Sequence, residues 1–169
     1  TINPITADYL IHGIDLAEKE GAGCVIVKLD TPGGLLDSTH KIVKKILSSK
    51  IPIVVYIFPS GARAGSAGVF ITYASHLAAM APSTNIGAAH PVEFGGKNPL
   101  DKGFKKIDQP LKESKDEEKK DTSDDDPMES KILNDTVAFI KAMAQKRKRN
   151  VEWAIKSVTQ SDSITETEA

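Results

Sequence analysis

The eight residues Ile51-Pro52-Ile53-Val54-Val55-Tyr56-Ile57-Phe58 carry no charge and are rich in β-branched and aromatic side chains. Such a run does not alternate, so it reads as a strand buried on both faces, as in a parallel sheet packed under helices. Directly after it comes Gly61-Ala62-Arg63-Ala64-Gly65-Ser66-Ala67-Gly68, and Ala67 to Ser75 is small and apolar enough to open a tightly packed helix. Ser66 therefore falls at a strand-to-helix turn. Its small neighbours let a second backbone come close, and the helix N–H groups point at developing negative charge. A serine there is also an ordinary N-cap, and the segment alone supports both readings equally. Spacing excludes two familiar sites. A nucleophile elbow has Gly two residues before its serine, where this chain has Ala64. A phosphate-binding loop ends in Gly-Lys-Ser/Thr, which is absent.

The rest of the chain alternates strand and helix. Thr6 is placed to cap a helix from Ala7 to about Glu20, with Leu10, Ile14 and Ala17 on one stripe and Gly21 as its stop. Cys24 to Leu29 reads as a strand ending in a second turn of small residues, Asp30-Thr31-Pro32-Gly33-Gly34. A helix follows from Leu35 to about Leu47, and Leu77 to Ala81 reads as another short buried strand. This order indicates an α/β fold with a parallel sheet and right-handed crossovers. Both glycine turns then lie at the carboxyl edge, where open α/β folds place their sites.

From Gly95 to about Glu129 the chain is crowded with Lys, Asp, Glu, Ser, Gly and Pro, which predicts a mobile charged loop inside a single domain spanning residues 1–169. Beyond it a helix from about Ser130 to Lys148 puts Leu133, Val137, Lys141 and Ala144 on one face. A lysine on a buried stripe either snorkels outward or becomes a partly desolvated amine able to act as a base. Trp153 reads as a packing residue.

An apolar content of 40% over 169 residues suffices for one core, and a net charge of −1 gives no reason to expect a nucleic-acid partner. The single cysteine, Cys24, reads as a buried packing residue. Neither a metal site nor a cofactor is expected. No transmembrane stretch or signal peptide is visible, and the chain reads as a soluble piece excised from a longer protein.

Three motifs together, Asp30-Thr31-Pro32-Gly33-Gly34, Ser60 to Gly68 and Met80-Ala81-Pro82-Ser83-Thr84-Asn85-Ile86-Gly87, resemble the N-terminal protease domain of the NfeD membrane serine proteases, and the likeness continues through Phe139 to Ala144. These proteins are relatives of Clp protease and signal peptide peptidase A. The resemblance implies a crotonase-like (Clp protease-like) fold of repeated β-β-α units with a mainly parallel sheet. It implies Ser66 as nucleophile, Lys141 as general base, and the N–H groups of Gly34 and Ala67 as the oxyanion hole. It further implies a membrane-associated, extracytoplasmic domain that forms a homo-oligomer, with a dimer favoured, and cleaves hydrophobic segments of stomatin-like partners. Clp protease itself uses a histidine, and His90 follows Met80-Ala81-Pro82 at nearly the matching interval, which makes it the alternative base. His12, His40 and His76 read as surface or packing residues. Two other functions fit the same fold: a crotonase-type acyl-CoA enzyme, against which the lack of a basic nucleotide pocket counts, and a non-catalytic domain that binds a membrane partner.

Overall fold

The computed structural model describes residues 1–91 and 127–169. Along the chain run α1 (Pro4–Lys19), β1 (Val25–Leu29), α2 (Leu36–Ser48), β2 (Ile53–Ile57), β3 (Arg63–Gly65), α3 (Ala67–Ala74), β4 (Leu77–Met80), β5 (Asn85–Gly87), α4 (Pro127–Lys146), α5 (Val151–Thr159) and β6 (Ser163–Thr165). The apolar run forms the middle strand of a parallel sheet ordered β1-β2-β4. Its Ile53, Val55 and Ile57 are fully buried. With Val27 and Leu29 of β1 they face Ile14 of α1, Ile42, Val43 and Ile46 of α2, and Val69 and Ile71 of α3.

Coverage of the sheet is one-sided, contrary to the expectation for β2. On the other face Val54 stands in register between Ile26 and Leu77, which are 61% and 59% exposed. For the same reason β4 is not the buried strand that its apolar sequence suggests. It is an edge strand whose exposure alternates, because no further strand lies beyond it among the described residues. Cys24 is also exposed rather than buried, since β1 starts one residue later.

A second, smaller layer holds β3 parallel to β5, with β6 antiparallel on the far side. Two isolated bridges, Thr31 with Ala64 and Ile2 with Gly34, extend it. The chain therefore runs twice from a strand of the first sheet, through a short extended segment in the second layer, into a helix. It begins a third such passage with β4 and β5. Both glycine turns are these passages.

The first helix starts earlier than Ala7. Asn3 is its cap and Pro4 its first residue, while Thr6 closes a reciprocal capping box with Asn3. Of the expected charged loop, all but its end lies outside the described residues, and that end, from Pro127, already belongs to α4. Phe139 of α4 packs between His40 of α2, with ring centroids 4.3 Å apart, and Phe70 of α3, at 5.9 Å. Helix α4 is thereby seated against both helices that follow the glycine turns.

Candidate active site

The two turns are stacked backbone against backbone. Thr31 N–H donates to Arg63 O at 2.8 Å, and Gly65 N–H returns a bond to Thr31 O at 2.9 Å. A side chain on Gly33 would collide with Ser66, its Cβ falling 2.8 Å from Ser66 Cβ and 3.3 Å from the hydroxyl oxygen. A side chain on Gly65 would press on the Pro32 carbonyl at 3.0 Å. Glycine at both positions is thus a condition of bringing the turns together, and φ of +131° at Gly33 adds a conformation that other residues resist.

Ser66 is held in an unusual backbone conformation, φ 48° and ψ −107°, between β3 and α3. This lies outside the regions open to ordinary L-residues and stores strain that the surroundings must hold in place. The restraint is visible: Ser66 N–H donates to Gly87 O at 3.0 Å, and Ser66 O accepts from Val69 N–H at 2.9 Å. Its side chain makes no cap bond, so the bland N-cap reading fails. Among the described residues the hydroxyl has no hydrogen-bond partner, and the residue is only half-buried.

Two backbone donors flank this hydroxyl's turn. Ala67 is the first residue of α3, a position whose N–H has no partner within its own helix. Gly34 is bridged to Ile2 through the N–H of Leu35 and the C=O of Gly33, so the N–H of Gly34 itself points the other way, as strand alternation requires. The fold thus puts Ser66, Ala67 and the Gly33-Gly34 turn in one place.

Lys141 departs from its expected position. Among the described residues of α4, those buried are Thr136, Ile140, Met143 and Ala144, and Lys141 is exposed. Successive steps of four rotate about 40° past a full turn, so the row from Leu133 through Val137 has left the buried seam by the time it reaches 141. Exposure removes the desolvation on which a base role for this lysine was argued. His90 is anchored elsewhere: its Nδ1 donates to Val158 O at 2.9 Å, which leaves only Nε2 for other work. No hydrogen bond joins it to Ser66 among the described residues.

The far end of α3 is fastened to the residues that follow α4. Arg147 Nε donates to Ala74 O, Arg149 donates to both Ser75 O and Ser75 Oγ, and Tyr73 OH donates to Asn150 O. Burial lowers both guanidinium pKa values and pushes the Tyr73 phenol up to about 12. Trp153 stacks on Tyr73 at 5.9 Å, a packing role as expected. No group of three metal-ligating side chains converges among the described residues, and no helix of theirs is long and apolar enough to cross a membrane.

Comparison with known proteins identifies relatives of this chain. Over 168 residues the chain is 37% identical to the membrane-bound protease PH1510 of Pyrococcus horikoshii, covering 99% of this chain and 33% of that protein. It is 33% identical over 90 residues to the membrane protein NfeD1b of Bacillus subtilis, covering 53% of this chain and 20% of the relative. The chain therefore spans a third or less of the curated relatives it matches. Among solved structures it superposes on a serine-to-alanine variant of the membrane-bound stomatin-specific protease 1510-N, with a TM-score of 0.78 and 36% identity, over 99% of this chain and 70% of that one. A lysine-to-alanine variant of 1510-N in complex with a substrate peptide gives 0.77 and 36%, over 100% and 66%. Residues 1–136 match the family described as NfeD1b, N-terminal domain, and the chain belongs to that family.

Proposed function

We propose that this domain is a serine endopeptidase in which Ser66 attacks the peptide carbonyl and a lysine amine serves as its base. The observation that carries the reading is the strained backbone of Ser66, which presents its hydroxyl beside the N–H groups of Ala67 and Gly34, and none of the three has a hydrogen-bond partner among the described residues. Strain of this kind concentrates at sites where it is part of the mechanism. Serine is a weak nucleophile until a base takes its proton. As Ser66 Oγ bonds to the carbonyl carbon, the amine accepts that proton, and the carbonyl oxygen gains negative charge between the N–H groups of Gly34 and Ala67. Collapse breaks the C–N bond, and the protonated lysine returns its proton to the leaving amine. Water, deprotonated by the same amine, then hydrolyses the acyl ester. The thrice-begun passage from sheet to second layer supports a crotonase-like fold for this chemistry.

The base is the lysine assigned by resemblance, Lys141, whose helix is tied to α3 through Phe139 and, just past its end, Arg147. One observation favours a second reading. In 1510-N the serine and the lysine replaced by alanine stand some forty positions apart, whereas the interval from Ser66 to Lys141 is nearly twice that. The shorter interval points to a base nearer to Ser66 along the chain, one of the lysines between Ser66 and Lys141. Since 1510-N is specific for stomatin, the proposed substrate is an apolar segment of a stomatin-like membrane partner, cut by a membrane-associated, extracytoplasmic and oligomeric parent protein.

A serine-directed fluorophosphonate probe tests the reading. Labelling is expected in the parent and absent in Ser66→Ala; equal labelling of both overturns it. A steep drop in Lys141→Ala assigns the base there. Retained labelling in that variant, with loss in a single lysine-to-alanine variant between Ser66 and Lys141, assigns it to the second reading.

A further inference from the structure

We propose that Thr31 is a positioning residue for this reaction: its hydroxyl fixes the orientation of the peptide group joining Gly33 to Gly34, and so aims the Gly34 N–H at the oxyanion. The inference rests on the reading of Ser66 as nucleophile and of Gly34 as an oxyanion donor.

Thr31 is 1% exposed, directly ahead of Pro32 in the first glycine turn. Its hydroxyl does two things at once. It donates to Gly33 O at 3.1 Å and accepts from Gly33 N–H at 3.1 Å. Gly33 O receives a second bond, from Ile2 N–H at 2.9 Å. In a trans peptide the C=O and the following N–H point in opposite directions. Two donors gripping Gly33 O therefore dictate where Gly34 N–H points. This control is needed because both members of the turn are glycine. The freedom that admits φ of +131° at Gly33 equally admits rotation of the peptide that follows, since no Cβ resists it. Hydrogen bonds supply the restraint that sterics do not, and burial away from water strengthens them.

The same residue touches the nucleophile's turn from the other side. Its backbone is bridged to Ala64, and its Cγ2 methyl lies 3.0 Å from the place a side chain on Gly68 would occupy. Thr31 thus registers the donor turn against the first turn of α3. The hydroxyl orients and the methyl spaces, and separate substitutions tell the two apart.

The test uses Thr31→Val, which keeps shape and removes the hydroxyl, and Thr31→Ser, which keeps the hydroxyl and removes the methyl. The readout is inactivation by a fluorophosphonate, whose adduct develops charge where the oxyanion lies. Thr31→Val is expected to lower the maximal inactivation rate about 10- to 100-fold with the half-saturating concentration unchanged, because misaiming one donor costs the transition state alone. Thr31→Ser is expected to stay within about threefold of the parent, and neither variant to shift the pH midpoint set by the base. A parent-like rate in Thr31→Val, or equal impairment of both variants, overturns the proposal. If Thr31→Val does not fold, Thr31→Ala is the second variant without a hydroxyl and is held to the same criteria. A crystal structure of the folded variant supplies a readout independent of chemistry: the Gly33–Gly34 peptide is expected rotated or in two orientations. A single parent-like orientation overturns the proposal even if the parent fails to react with the probe, an outcome that would by itself count only against the reading of Ser66.

Discussion

Arg147 Nε donates to the carbonyl oxygen of Ala74 at 2.7 Å, which fastens the helix after the charged segment to the last turn of the helix that carries Ser66 at its head. Ala74 is fully buried, so its carbonyl has no water to replace a lost partner. Arg147→Ala is expected to cost about 2 kcal/mol, the range for a bond to a charged group, read as a lower urea midpoint with unchanged slope. A cost below about 0.5 kcal/mol would show that the corner is solvated when the guanidinium leaves.

Relief of strain gives the second prediction. At φ 48° and ψ −107°, glycine is more comfortable than serine. Ser66→Gly is expected to abolish fluorophosphonate labelling while raising stability by about 1 kcal/mol, after the greater freedom of the unfolded glycine is subtracted. Equal or lower stability than Ser66→Ala would refute strain at this position.

The acid side of the stability profile belongs in part to Glu18. Its carboxyl is lowered from 4.5 to about 2, first by the backbone N–H of Lys50 and then by the Lys45 ammonium. A depressed carboxyl contributes stability that is present above the unfolded value and lost as pH falls toward the folded one. Urea midpoints are therefore expected to fall between about pH 5 and pH 2, and Glu18→Gln to flatten that part of the curve.

Ile57 is fully buried at the carboxyl end of β2, in register with Leu29 and Met80. Ile57→Ala is expected to destabilise by about 3 kcal/mol. The site lies just beyond the ends of these strands, so probe labelling of the folded fraction should slow as well. Unaltered labelling kinetics at full foldedness would show that the sheet edge and the turns move independently.

The α/β class, the central strand and both glycine turns were legible because their cause is local. A run without alternation, then small residues, leaves few choices. Exposure was not legible, because it depends on what lies beyond an element. Leu77 and Ile26 are as apolar as buried residues, yet stand on a face that nothing described covers. The burial expected of Lys141 failed for a geometric reason: a row drawn at steps of four fits several faces of a helix, and only packing of Ile140 and Met143 shows which one is buried. The strain at Ser66 and the latch at Thr31 were invisible, since a threonine before Pro-Gly-Gly reads as part of a turn until its hydroxyl is seen holding a carbonyl.

Where Gly65 meets the backbone of Pro32, and Gly33 meets the side chain of Ser66 itself, no spare side chain can shrink, grow or turn aside when a neighbour changes. Engineers wishing to alter the activity proposed for this domain should therefore expect near-uniform failure in saturation libraries spanning either turn. Tolerance is to be sought in segments that approach from outside, where an altered side chain can be absorbed without moving the two chains that meet here.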